Sequence, residues 1–303
     1  MLPNLNVNES SDGGVMSDRE GGTLYATVRG AGAPVILLHG LFGMGSNLGA
    51  LARALEPAYE VHQLDLPNHG RSYWSARMDI TEMADAVSRY IQQHLSGRVP
   101  RVAGHSLGGK VAMQLALSHP EQVAALVMAD IAPLSYAASH ANVFAAIGAV
   151  RDAPPSSRKD AATLMTAHVE EEGVRQFLLL SLKRDRDGLY RWRFNVEGLQ
   201  ENYAEMLRAP LGGPFLGPAL SIYGALSAYV GATGEVATRA LFPSAQFHVV
   251  ADTGHWLHAE KPEAFNLQVL HFLKTAEQEL AVRDDDTQAH KHPETETKGR
   301  AQL

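Results

Sequence analysis

The segment Val102-Ala103-Gly104-His105-Ser106-Leu107-Gly108-Gly109-Lys110 restricts this chain more than any other, because it sets a G-x-S-x-G pentapeptide between an apolar run and an amphipathic stretch. A strand that turns sharply into a helix strains the residue at the corner and leaves no room for bulk on either side of it. Gly104 and Gly108 supply that room. Ser106 then stands at the head of a helix, where free N–H groups and the helix dipole favour negative charge. The pentapeptide alone is a weak signal; strand before it and helix after it make Ser106 a candidate nucleophile.

Around this segment, short apolar runs alternate with helical patterns. Thr23 to Val28, Val35 to Leu38, Val61 to Leu64, Val102 to Gly104, Ala124 to Ala129, Ala219 to Tyr223 and Phe247 to Val250 are expected as strands. Helices are expected near Asn47 to Leu55, Thr81 to Leu95, Leu107 to Ser118, Thr233 to Leu241 and Pro262 to Lys274. Such alternation implies a mostly parallel sheet covered by helices. Residues 134–214 break the rhythm with consecutive helical patterns and one alternating run, Tyr190 to Phe194, and are expected to form an inserted cap. The core is then 23–133 and 215–278, flanked by polar tails at 1–22 and 279–303 that are expected to be disordered; Met16 is an alternative start.

Composition removes several classes of function. With no cysteine in 303 residues, disulfides, a thiolate nucleophile and cysteine-ligated metal are excluded. A net charge of -7 argues against nucleic-acid binding. No apolar stretch approaches the ~20 residues of a membrane span, and Met1 to Glu20 lacks the pattern of a secretion signal, so the expected location is cytoplasmic.

A serine nucleophile needs a base, an oxyanion site and an acid. His255 lies just past the last expected strand on a Gly-containing loop, in the order serine, acid, histidine. His258 is its rival, and a His255/His258 metal pair lacks a third ligand. His39-Gly40-Leu41-Phe42-Gly43 follows an apolar strand, which makes the Leu41 and Leu107 N–H groups the expected oxyanion donors, with His39 bonding the loop. Where an aspartate is common after the penultimate strand, this chain has Ser227. Asp130, ending the strand after the serine, is the candidate acid; Asp252, and a Ser/His dyad steadied by Ser227 or water, are the alternatives. His39, Gly40, Phe42, Asn68, His105, Trp192, Tyr229 and Trp256 complete the candidate pocket. Asp65 is expected to be structural, and Lys110 to form a pair within the core rather than approach an anionic substrate group.

Taken in order, HGLFG at His39 to Gly43, Asn47-Leu48-Gly49, PNHGRS at Pro67 to Ser72, GHSLGGK at Gly104 to Lys110, DIAP at Asp130 to Pro133, WRFN at Trp192 to Asn195 and GHWLHAEKP at Gly254 to Pro262 carry a resemblance. From Thr23 to Lys274 the chain resembles the α/β-hydrolase superfamily and, within it, the small bacterial carboxylesterases of the YbfF type. The resemblance implies an eight-stranded-type, mostly parallel sheet flanked by helices, with an inserted, mainly helical cap. It implies a Ser106/His255/Asp130 centre, no cofactor or metal, and hydrolysis of short- to medium-chain carboxylic esters through an acyl-enzyme. Acyl-CoA thioesters or carbon-carbon bonds are alternative targets on the same fold, and a non-catalytic ligand-binding module is the alternative of another class.

Overall fold

The structure is a computed structural model that describes residues 22–289. Nine strands are found among them: β1 (Ala26–Arg29), β2 (Ala33–Leu38), β3 (Tyr59–Leu64), β4 (Arg101–His105), β5 (Ala125–Ala129), β6 (Leu182–Arg184), β7 (Tyr190–Trp192), β8 (Ala219–Gly224) and β9 (Ala245–Val250). Seven form the main sheet, in the order β1-β3-β2-β4-β5-β8-β9, with β1 antiparallel and the rest parallel. Seven strands, not the eight that the resemblance implies, are present among the described residues.

The central parallel strands β2, β5 and β8 are buried and almost wholly apolar because helices cover both faces of the sheet, whereas β3 carries Glu60, His62 and Gln63. Successive side chains point to opposite faces. Ile36 and Leu38 thus join one cluster, with Met83, Val87 and Ile91 of α2 (Ile80–His94) and Val111 and Leu115 of α3 (Leu107–Ser118). Val35 and Leu37 join the other, with Leu51 and Leu55 of α1 (Gly49–Leu55) and Phe265, Val269 and Phe272 of α11 (Pro262–Ala289). The remaining core helices are α9 (Gly231–Leu241) and the single turn α10 (Leu257–Glu260).

Chain order sets where a ligand can bind. The path runs from β2 outward to β3 and then returns to place β4 on the other side of β2. The carboxyl ends of β2 and β4 therefore flank a topological switch point, where open parallel sheets leave a crevice. Leu38 pairs with Gly104 across it, so His39 and Ser106 follow immediately at the same edge.

Between β5 and β8 lie α4 (Ala141–Asp152), α5 (Arg158–Thr166), α6 (Glu172–Leu180), the β6–β7 hairpin, α7 (Val196–Glu201) and α8 (Tyr203–Met206). This insertion is mainly helical, and the alternating run supplies β7. It is tied to the core by the Asn195 N–H to Asn68 O bond (2.9 Å) and the Ser181 hydroxyl to Phe42 O bond (2.6 Å).

One expected boundary is corrected. The helix expected to stop near Lys274, with a tail from 279, continues as α11 through Ala289. Ala276 is still in the core, and Glu277 pairs with Arg101 at 2.8 Å, so a further turn is anchored, and the Gln278, Glu279, Leu280 and Ala281 that follow favour helix. Residues 1–21, with the alternative start at Met16, and 290–303 lie outside the described residues. Among the described residues no helix is long and apolar enough to cross a membrane.

The glycines of the turn admit a direct test. A Cβ on Gly108 would lie 2.3 Å from the Leu38 carbonyl oxygen, and one on Gly104 2.1 Å from the Gly108 oxygen. Both obstacles are backbone. Alanine gains about 1 kcal/mol over glycine in a helix, whereas forced overpacking costs about 1–3 kcal/mol or more. With backbone on both sides the cost falls at the upper end of that range, so Gly108→Ala is expected to lower stability by up to about 2 kcal/mol in urea unfolding; a raised midpoint would refute the packing argument.

Candidate active site

Ser106 sits between β4 and α3 with φ 53° and ψ −118°, a backbone region that L side chains rarely occupy. The strain is held by Ser106 N–H to Ala129 O (3.0 Å) on β5 and by Lys110 N–H to Ser106 O (3.1 Å). It lifts the hydroxyl clear of the sheet edge.

His255 arrives from the other end of the sheet. Gly224 at the end of β8 lets its loop approach, since a Cβ there would lie 2.3 Å from Gly254 O. The loop is fastened by Leu226 N–H to Thr253 O (2.9 Å), Gly254 N–H to a Glu260 carboxylate oxygen (2.8 Å) and His105 Nε2–H to His255 O (2.8 Å). Its imidazole stacks on Tyr229, with ring centroids 4.2 Å apart. Nε2 lies 3.0 Å from Ser106 Oγ and Nδ1 2.6 Å from Asp130 Oδ2.

Asp130 is the first residue past β5, fully buried, with φ 51°. Its carboxylate accepts from Gly224 N–H at Oδ1 (2.9 Å) and from the Ser227 hydroxyl at Oδ2 (2.5 Å), besides His255. Because an ionised carboxylate only accepts, His255 carries its proton on Nδ1 and turns the Nε2 lone pair to Ser106. Asp252, the other acid considered, instead pairs with exposed Lys261 at 3.0 Å and does not reach the imidazole. His258 packs against His105, with centroids 4.3 Å apart, and makes no bond to Ser106.

Leu41 and Leu107 border the same space. Among the described residues neither backbone N–H has a protein acceptor, which leaves both open to a ligand. The loop that presents Leu41 is held from beneath by two buried histidines. His39 donates Nδ1–H to Gly40 O (2.8 Å) and accepts Leu66 N–H at Nε2 (3.0 Å). His69 donates to Pro67 O (2.9 Å) and accepts Phe42 N–H (3.2 Å), which steadies Phe42 in its positive-φ conformation at 63°. Asp65 is structural too, accepting Gly45 N–H (2.7 Å) and Arg71 N–H (2.9 Å).

Over Ser106 opens a cavity of about 490 Å³, with the core below and the cap above. Of the candidate pocket residues, Gly40, Phe42, His105, Tyr229 and Trp256 line it. His39, Asn68 and Trp192 do not. His39 is spent on the loop beneath. Asn68 bonds Ser75 and the cap residue Asn195, and Trp192 donates its indole N–H to Ile147 O inside the cap. The cap adds lining residues not expected from the sequence: His140 and Tyr203, which bond each other, and Tyr136, Val143, Val174 and Phe177. Lys110 also lines the cavity, but no acid pairs with it as expected: its ammonium donates to the Leu207 (2.7 Å) and Met206 (3.3 Å) carbonyls at the end of α8. Among the described residues no cluster of three or more histidine, aspartate or glutamate side chains is placed to hold a metal ion.

The buried histidines make the fold acid-sensitive. Burial lowers His39 from the ordinary 6.5 to about 4 and His69 to about 3. Above 6.5 neither the folded nor the unfolded chain binds these protons. Below it the unfolded chain takes them up and the folded one does not, so stability falls until pH drops through the folded values. Each histidine removes up to ~1.4 kcal/mol per pH unit in that window, and the two together up to ~3. Urea midpoints at pH 7.5, 6 and 5 are expected to fall steeply over the last step; equal midpoints at 6 and 5 would contradict neutral burial.

The arrangement is thus a hydroxyl, an imidazole and a carboxylate in sequence, beside two unpaired N–H donors, at the switch point of a parallel sheet. Residues 33–262 match the family described as the alpha/beta hydrolase fold. The chain belongs to that family. It is 41% identical over 234 residues to the esterase YbfF of Escherichia coli (strain K12), covering 77% of this chain and 89% of that protein. To the sn-1-specific diacylglycerol lipase ABHD11 of Danio rerio it is 35% identical over 256 residues, covering 81% and 80%. Among solved structures, a marine microorganism esterase superposes with a TM-score of 0.79 at 32% identity, covering 82% of this chain and 99% of that one.

Proposed function

We propose that this chain is a serine carboxylesterase that hydrolyses short- to medium-chain carboxylic esters through an acyl-enzyme. The observation that carries the reading is the continuous path from Asp130 through His255 to Ser106 Oγ, with hydrogen bonds of 2.6 and 3.0 Å, ending in a cavity bordered by the Leu41 and Leu107 N–H groups. Family membership and the esterase and lipase relatives support the same class of reaction.

In the first half-reaction Ser106 Oγ attacks the ester carbonyl while His255 Nε2 takes the hydroxyl proton. The Leu41 and Leu107 N–H groups stabilise the oxyanion, and the ionised Asp130 stabilises the imidazolium. Collapse of the tetrahedral adduct breaks the bond to the alkoxy oxygen, which leaves as alcohol with the proton from His255. Water, deprotonated by the same Nε2, then attacks the acyl-enzyme and releases the acid and free Ser106.

The lining of Val143, Val174, Leu178, Ile131 and Met206 suits a hydrocarbon chain. The test is a p-nitrophenyl ester series from acetate to palmitate. The expected kcat/KM rises from acetate, peaks at short to medium chains and falls well before palmitate. A steady rise to palmitate would overturn the chain-length assignment, and no turnover of any ester would overturn the esterase reading.

A further inference from the structure

Lys110 is a buried amine for which the esterase mechanism has no use. It is only 3% exposed, lies one helical turn beyond Ser106 on α3, and borders the same cavity. Burying an ammonium is costly unless a negative partner compensates. Among the described residues Lys110 forms no ion pair, and the only influence on its ionisation is burial, which lowers it to about 7. Its partners are two neutral carbonyls, of Leu207 (2.7 Å) and Met206 (3.3 Å), which use two of its three N–H groups. The Tyr136 ring, also in the cavity wall, has its centroid 5.1 Å from the ammonium, and the Tyr136 hydroxyl is engaged with Tyr229 O (2.7 Å) and Ala132 N–H (2.9 Å). The rest of the wall here is Ile131, Met206 and Leu207, and it brings no carboxylate. Below about pH 7 the cavity that Ser106 also lines therefore holds a positive charge with one unspent donor and, among the described residues, no counter-ion.

We propose that Lys110 is a carboxylate-recognition site inside the substrate cavity, and that the preferred esters carry a second, ionised carboxylate group. This rests on the esterase reading for its chemistry, though not for its binding. An incoming carboxylate supplies the missing counter-charge and accepts the free N–H, a charge-assisted bond in a site shielded from water. An aliphatic ester of the same length leaves the ammonium uncompensated.

The carboxylate can stand on either side of the scissile bond, and two ester pairs separate the cases. Ethyl hydrogen adipate against ethyl hexanoate probes the acyl side. The hexanoyl ester of glycolic acid against ethyl hexanoate probes the alcohol side. For wild type at pH 6.5, one of the two carboxylate-bearing esters is expected to exceed ethyl hexanoate in kcat/KM by about tenfold or more, as a hydrogen bond to a charged group provides. In Lys110→Met that ratio is expected to fall to one or below. If ethyl hexanoate outperforms both acids in wild type, or the preference survives Lys110→Met, the proposal is wrong. The wild-type comparison stands even if Lys110→Met folds poorly. Calorimetric titration of Ser106→Ala with ethyl hydrogen adipate and with the glycolate ester reads binding without turnover. Tighter binding of one acid than of ethyl hexanoate upholds the site even if no ester is cleaved; equal or weaker binding of both overturns it.

Discussion

Ser106→Ala is expected to lower kcat on a short-chain p-nitrophenyl ester by about 10⁴-fold or more while leaving the thermal and urea unfolding of the chain nearly unchanged. The two halves of that result come from different parts of the geometry. Ser106 Oγ is the atom facing His255 Nε2 at 3.0 Å, and its loss removes the covalent route altogether. The fold, by contrast, holds Ser106 through its backbone, via Ala129 O and Lys110 N–H, and none of those bonds involves the hydroxyl. The residual rate reflects what the Leu41 and Leu107 N–H groups achieve with water alone. A fluorophosphonate probe supplies a second readout, since only a serine deprotonated by its neighbour reacts quickly with it. Wild type is expected to be labelled within minutes and Ser106→Ala not at all. Retained activity or labelling in the variant would place the nucleophile elsewhere and overturn the mechanism.

Much of the fold was legible because its signals are local. The apolar runs of a two-sided parallel sheet and the amphipathic stripe of α2 need no partner to be recognised, and the G-x-S-x-G turn announces itself through two glycines whose Cβ positions the backbone already occupies. The insertion was legible as a break in that rhythm. What remained hidden depends on groups far apart in the chain. His69 lies inside a turn motif, and nothing nearby signals that its Nε2 accepts the Phe42 N–H and shapes the loop that presents Leu41. Lys110 reads as a helix residue awaiting an acid, and the carbonyls it finds belong to α8, almost a hundred residues on. His140 and Tyr203 meet only because the cap folds back over the site. Asn68 lies in a turn expected near the pocket rim and Trp192 in the WRFN motif, yet Asn68 fastens core to cap and Trp192 packs within the cap. The full length of α11 is not legible because Asp284, Asp285 and Asp286, weak helix formers and unfavourable near a helix C-terminus, look like a tail.

Asp130 and Ser227 offer the sharpest test of how the acid acts. Three donors converge on the Asp130 carboxylate: Gly224 N–H on Oδ1, and the Ser227 hydroxyl and His255 Nδ1–H on Oδ2. An asparagine cannot satisfy all three. With its NH₂ group at the Oδ2 position it opposes Nδ1–H and drives the imidazole proton to Nε2, where it can no longer accept from Ser106. With its oxygen there, the NH₂ group collides with Gly224 N–H, and the formal charge that stabilises the imidazolium is still gone. Asp130→Asn is therefore expected to cost about 10³- to 10⁴-fold in kcat. Ser227→Ala removes one donor and keeps the charge; the carboxylate retains Gly224 N–H and His255, and the loss expected is that of one hydrogen bond to a charged group, about 10- to 100-fold. The ordering is decisive because Ser227 and His255 bond the same oxygen of Asp130. Steady-state kcat for both variants, with stability measured alongside, reads it directly. If Ser227→Ala proves as damaging as Asp130→Asn in a folded protein, the serine and not the aspartate governs the imidazole, and the relay from β5 to Ser106 must be redrawn through β8.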